Sequence, residues 1–168
     1  MLTLVGEDRP GIVAKVTAAL FEGGCNLGEA SMMRLGGSFT TMLMVNSDGA
    51  AKQVQTMLAP VVESLGLHLH IDAIAGQLHQ HVLPDVRITV SGADRAGIVA
   101  QVTGALAGAG LNILDLESDV AGTAESPIYI MHIEGVATEG VGALESAVDV
   151  IAREGVDISI SSVDTLIG

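Results

Sequence analysis

The 168-residue chain holds one cysteine, Cys25, three aromatic side chains (two Phe, one Tyr, no Trp) and seven basic residues. A single cysteine cannot close an intramolecular disulfide, so nothing calls for an oxidising compartment and a cytoplasmic location is expected. No apolar run approaches the roughly 18 residues of a membrane span, and no basic stretch leads into an apolar one at the start, so neither a membrane protein nor a secretory leader is expected. The basic residues Arg9, Lys15, Arg34, Lys52, Arg87, Arg95 and Arg153 stand singly against twenty Asp and Glu, for a net charge of -13. Affinity for nucleic acid comes mostly from neutralising phosphates, so direct binding to DNA or RNA is excluded. Any part in gene control would run through a more basic protein partner.

What is present is repetition. "DRPGIVAKVT" at Asp8–Thr17 returns as "DRAGIVAQVT" at Asp94–Thr103, an offset of 86 residues, and fourteen of the twenty-six positions from Leu2 to Leu27 are identical at that offset. Further on the likeness weakens to pattern: "SFTTMLMV" from Ser38 aligns with "SPIYIMHI" from Ser126 if the intervening turn gains two residues. The whole chain therefore reads as a duplication.

Each copy spells strand, helix, strand, strand, helix, strand. "LTLVG" and "VRITVSG" are short β-rich runs halted by Gly. Pro10 suits a first helical turn, Ile12, Val16, Ala19 and Leu20 recur at helical spacing, and Gly23 with Gly24 ends the helix. "NLGEASMMRL" and "SFTTMLMVN" form a hairpin at "GG", and a second helix runs from about Ala50 to Leu65. "LHLHIDAI" then alternates, with Leu67, Leu69 and Ile71 on one side and His68, His70 and Asp72 on the other. Copy two repeats the order, with its second helix near Glu139–Glu154 and a last strand in "VDISISSVDTL". This is an α+β fold of two ferredoxin-like βαββαβ modules, each a four-stranded antiparallel sheet with both helices on one face. The expected boundaries are residues 1–74 and 86–168, with 75–85 as linker. A unit of about 80 residues is marginal alone, so the modules are expected to pack as a pair and to dimerise.

The shared motif falls where strand gives way to helix, where backbone N–H groups and the positive end of the dipole favour an anion. Gly11 and Gly97 would let a carboxylate approach the backbone, Asp8 or Asp94 could cap the helix or accept an ammonium, and Asn26 and Asn112 offer an amide with donor and acceptor. A free amino acid needs that combination. At one turn taken alone, ordinary capping is the better explanation of Asp, Pro and Gly, and Asp8 could simply pair with Arg9. Retention of the whole string in both copies favours a shared site or a shared contact.

"DRPGIVAKVT…GGCNL" and "DRAGIVAQVT…GAGLNI", in this element order, resemble the opening of an ACT domain, a small regulatory module that binds amino acids. "EDRPGIV…GCNLGEASMMRLGGSFTTMLMV" further resembles the tandem-ACT glycine cleavage system transcriptional repressor family. The resemblance implies ligands held where two modules pack, by the first turn and the start of the second strand. Carried over, it implies ligand-binding roles for Asp8, Arg9, Pro10, Gly11, Ile12 and Asn26, and for Asp94, Arg95, Ala96, Gly97, Ile98 and Asn112. Ala96 departs from the Pro of the pattern. The implied function is non-catalytic: sensing of a small amino acid, glycine among them, and modulation of a protein partner, with no cofactor.

Two rival functions are weighed. A regulatory subunit of an amino-acid enzyme shares every feature above. An acylphosphatase-like hydrolase shares the split fold and pairs an Arg in the first turn with an Asn on a strand, which Arg9 and Asn26 supply in kind. It would, however, need a phosphate cradle that is missing here, and Asp8 would repel its substrate. His68 and His70 on one strand face, with His79 and His81 in the linker, are the candidates for a metal, and a plain solvated face is the favoured reading. Met32, Met33, Met42 and Met44 either fill the core or lie on the sheet face away from the helices, as an adaptable apolar surface.

Overall fold

The computed structural model describes residues 1–74, 82–93 and 96–163, and the chain divides into two units, Met1–Gln80 and His81–Gly168. Seven linker residues, 75–81, lie outside the described part, as do Asp94 and Arg95.

In the first unit β1 (Leu2–Glu7), α1 (Ile12–Glu22), β2 (Asn26–Leu35), β3 (Ser38–Asn46), α2 (Ala51–Leu65) and β4 (His68–Ile71) follow in the expected order. The sheet is antiparallel with strand order β2-β3-β1-β4. Alternation places Leu2 and Leu4 of β1, Phe39 and Leu43 of β3 and Leu67 before β4 inward, against the Ile12–Val16–Leu20 stripe of α1 and Val54 and Leu58 of α2. Thr41 is buried in that row, and its hydroxyl donates to the Ser31 carbonyl at 2.8 Å, so the burial leaves no donor unmet. β2 hangs beyond the helices: all ten of its residues are exposed.

The second unit repeats this with β5 (Val86–Ala93), α3 (Ile98–Gly108), β6 (Leu111–Thr123), β7 (Ser126–Ala137), α4 (Val141–Ala152) and β8 (Val156–Ser162), in strand order β6-β7-β5-β8. Ile88, Val90, Met131 and Ile133 face Ile98, Val102, Leu106, Leu144 and Val148. Asp85, at the edge of the proposed linker, is already part of this unit: its carboxylate accepts from the Ala137 N–H at 2.8 Å, and its own N–H donates to Gly135.

Two local expectations are corrected. Pro10 does not sit in the helix, because Gly11 is the N-cap residue and α1 starts at Ile12. The second hairpin is longer than the sequence alignment implies. Arg34 pairs with Phe39 and Val120 with Tyr129, so the equivalent of the two-residue turn Gly36–Gly37 is the six-residue stretch Gly122–Pro127. Two added rungs, Gly122 with Pro127 and Thr123 with Ser126, absorb the difference.

Candidate functional site

β1 runs out at Glu7, opposite Ser38, and Asp8 adds one more sheet-like bond by donating its N–H to the Gly37 carbonyl at 3.0 Å. The chain must then turn from the sheet into α1. It does so through Gly11, whose φ of 85° lies in the left-handed region that side chains resist. A Cβ placed there would meet nothing within 4 Å, so conformation, rather than crowding, requires glycine, and the space in front of the turn is open. Gly11 accepts the first helical bond, from Lys15 at 3.0 Å. No side chain caps α1 and no acidic residue lies in its first turn, so the first amides face outward at the positive end of the dipole. Gly97 builds the same corner before α3, with φ 89°, open space in front, and a bond from Gln101 at 2.9 Å.

The charged groups do not behave as the motif suggests. Asp8 neither caps its helix nor pairs with Arg9; its Oδ2 accepts from Nε of Arg34, at the end of β2, at 2.6 Å. Arg9 instead donates to Glu7, also at 2.6 Å. Arg34 is the partner of Asp8 that local motif reading misses, because it lies twenty-six positions away and only the hairpin register brings them together. Ile12 is core, 2% exposed, and orders the turn from beneath. Ile98 does the same in the second unit, and Ala96 is exposed. Asp94 and Arg95 lie outside the described residues.

The turn and the asparagine are not brought together within a unit. Asn26 opens β2 opposite Asn46, at the sheet end where Leu2 enters, whereas Asp8 and Gly11 lie at the end of Leu35 and Ser38. The intervening β2 strand covers on the order of 25–30 Å at about 3.3 Å per residue. Asn112 stands likewise beside Val136, at the Val86 end, away from Gly97. Both asparagines are exposed. A cavity of about 260 Å³ opens at the Asn26 end, not at the turn, between Leu2, Asn46, Ser47, Val54, Ile71 and Asp72.

This separation removes the basis of the acylphosphatase comparison. Arg9 is held by Glu7 at one end of the sheet and Asn26 stands at the other, so one unit cannot close them on a single phosphate. His70 Nε2 lies 3.2 Å from Asp72 Oδ1, and among the described residues no group of three or more His, Cys, Asp or Glu is arranged to hold a metal. His79 and His81 lie outside the described part. Among the described residues no helix is long and apolar enough to cross a membrane.

Comparison with known proteins follows the same division. Two family models, each described as ACT domain, match residues 1–72 and 86–148. The UPF0237 protein YjhC of Lactococcus lactis subsp. lactis (strain IL1403) is 40% identical over 85 residues, 48% of this chain and 95% of that protein. Among solved structures, an unknown protein from Galdieria sulphuraria superposes with TM-score 0.78 at 26% identity, covering 96% of both chains. A candidate glycine cleavage system transcriptional repressor superposes with TM-score 0.72 at 22% identity, covering 96% of this chain and 95% of that one.

Proposed function

Because this chain belongs to the ACT-domain family, with one domain in each half, we propose that it is a regulatory protein without catalysis that senses a small amino acid and passes the signal to a protein partner. Glycine is the first ligand to try and a transcriptional regulator the first partner, in view of the fold shared with the candidate glycine cleavage repressor. The observation that carries the reading is the repeated uncapped corner: a left-handed glycine, open space in front of it, and first-turn amides without a side-chain acceptor, in both units. That arrangement favours a carboxylate.

The separation of turn and asparagine supports assembly from two chains. β2 is the edge strand of its sheet, exposed along its whole length. If it pairs antiparallel with the β2 of a second copy about its midpoint, Asn26 of that copy comes level with Leu35, beside Arg34 and Asp8. A complete site would then hold the turn of one chain and the asparagine of the other, and ligand would favour the dimer. Ligand that binds one assembly state better than another shifts the population toward it, which is what regulation requires. At a ceiling of about -1.5 kcal/mol per heavy atom, a five-atom ligand such as glycine gains at most about -7.5 kcal/mol, micromolar at best.

The test is calorimetric titration of the full chain with each of the twenty amino acids, repeated on Asn26→Ala and Gly11→Val. Each variant alone should lose the first-unit site, and an equal mixture of the two should recover a quarter of the first-unit sites of wild type. That count holds if protomers mix at random, because each mixed dimer regains one intact site of two. Full binding in Asn26→Ala would remove the asparagine from the site. No heat with any amino acid would leave assembly as the function.

A further inference from the structure

The two copies of the motif differ where the chain returns past the turn. In the first unit Arg34 Nε holds Asp8 at 2.6 Å, with the guanidinium side chain 66% exposed and the Asp8 side chain 35% exposed. One of five guanidinium donors is used, and one of about four acceptor positions on the carboxylate. The remaining guanidinium edge is a flat two-pronged donor, the shape that takes a carboxylate bidentately. In the second unit the register puts Val120, opposite Tyr129, where Arg34 stands opposite Phe39. Val120 and Ile128 are both about half exposed there, and the hairpin carries on for two further rungs.

We propose that the two turns are not equivalent and that Arg34 makes the difference: the first unit takes a zwitterion, carboxylate on Arg34 and the α1 amides and ammonium on Asp8, whereas the second unit does not. This rests on the reading of the turn as an amino-acid site. The Arg34–Asp8 pair presents both charges a few ångströms apart before any ligand arrives, so little reorganisation is needed. Val120 offers no charged donor where Arg34 offers one, and its cross-strand neighbour Tyr129 packs against the core of the unit. Arg34 is thus a specificity-determining residue, and the ligand class it selects is a compact molecule bearing both charges rather than a simple acid or amine.

The test follows the backbone amides of Gly11 and Gly97 by NMR in the full chain while each of the twenty amino acids, then acetate and methylamine, is added. The expected result is a saturable shift at Gly11 with at least one amino acid, none at Gly97, and no saturation at either with acetate or methylamine. Arg34→Gln should weaken the Gly11 response roughly tenfold to a hundredfold, as loss of a charge-assisted pair does. Arg34→Lys, which keeps the charge without the fork, should fall between. Val120→Arg should create a response at Gly97. Arg34 is largely exposed, so unchanged amide positions away from residues 8–12 will show that the variants fold. Gly11 and Gly97 saturating together would leave sensing intact and overturn the inequivalence, and a wild-type response in Arg34→Gln would overturn the role of Arg34. Silence at both glycines with every amino acid would overturn the sensing function and this inference with it.

Discussion

On the sheet face turned away from the helices, the first unit carries Ser31, Met33, Met42, Met44 and His68 where the second, position for position, carries Glu117, Asp119, His132, Glu134 and Asp157. On the helix side the same register sets Leu2 against Ile88, Leu4 against Val90, Leu43 against Ile133, Val16 against Val102 and Leu20 against Leu106. One surface has been held to apolar residues of similar volume, while at these positions the other has lost three methionines and gained four acidic residues. The inner face is a packed core, where a lost methylene leaves a void, and the outer face carries no such constraint from the fold. The acidic character of the protein follows the same split: thirteen of its twenty acidic residues fall within 81–168 and seven within 1–80. It reaches the point of setting Asp115 directly across from Glu134, an unfavourable pairing that Arg87 offsets by donating to Glu134 from Nε and Nη2 at 2.9 and 2.6 Å.

If the two cores are equivalent, the largest effects should also match. Leu20 and Leu106 are each fully buried at the last position of the helix stripe, so Leu20→Ala and Leu106→Ala should each cost about 2–5 kcal/mol in denaturant unfolding. Costs that differ by more than about 2 kcal/mol would show that one core relaxes around the void and the other does not. A step smaller than this is expected at the corners. Gly11→Ala and Gly97→Ala gain a Cβ that touches nothing, so only the left-handed backbone is penalised, about 1–2 kcal/mol at either position. A cost near zero would mean that the turn has moved to another backbone shape, and thermal melts of the two variants would reveal it.

The comparison also separates what the sequence made legible from what it did not. Periodicity and glycine placement are local, so α1 from its Ile12–Val16–Leu20 spacing and β4 from the Leu69–His70–Ile71 alternation could be read without partners. The duplication then extended that reading to the second unit. Register is not local. Asn26 follows the turn by only fifteen residues, which suggests nearness, yet α1 spends eleven of them travelling about 16 Å back along the sheet, at 1.5 Å per residue. Arg34 has the opposite history: distant in sequence, it is returned to Asp8 by β2. The hairpin length failed for the same reason, since "SFTTMLMV" and "SPIYIMHI" align as strings two residues away from how their strands pair.

The smallest effect is expected on the outer faces, and it sharpens the comparison most. Met33 and Met42 are 47% and 48% exposed, so replacing either gives up little transfer free energy and opens no closed void. Met33→Asp, which copies Asp119 into the first unit, should change unfolding stability by no more than about 0.5 kcal/mol, as at other surface positions. His132→Met, the reverse exchange at the Met42 position, should behave alike, because His132 makes only a 3.3 Å contact with the Thr89 hydroxyl. The same two proteins run on a calibrated sizing column then decide what the methionines are for. A stability change within that limit and an unchanged elution volume would mean that the apolar face of the first unit is solvated in the assembled protein, as the acidic face is. A loss above about 2 kcal/mol for Met33→Asp, or a fall in its assembled size that His132→Met does not share, would mean that the first face is covered in solution. In that case burial in the assembly, rather than the fold of the unit, is what has kept Met33, Met42 and Met44 from following their counterparts toward charge.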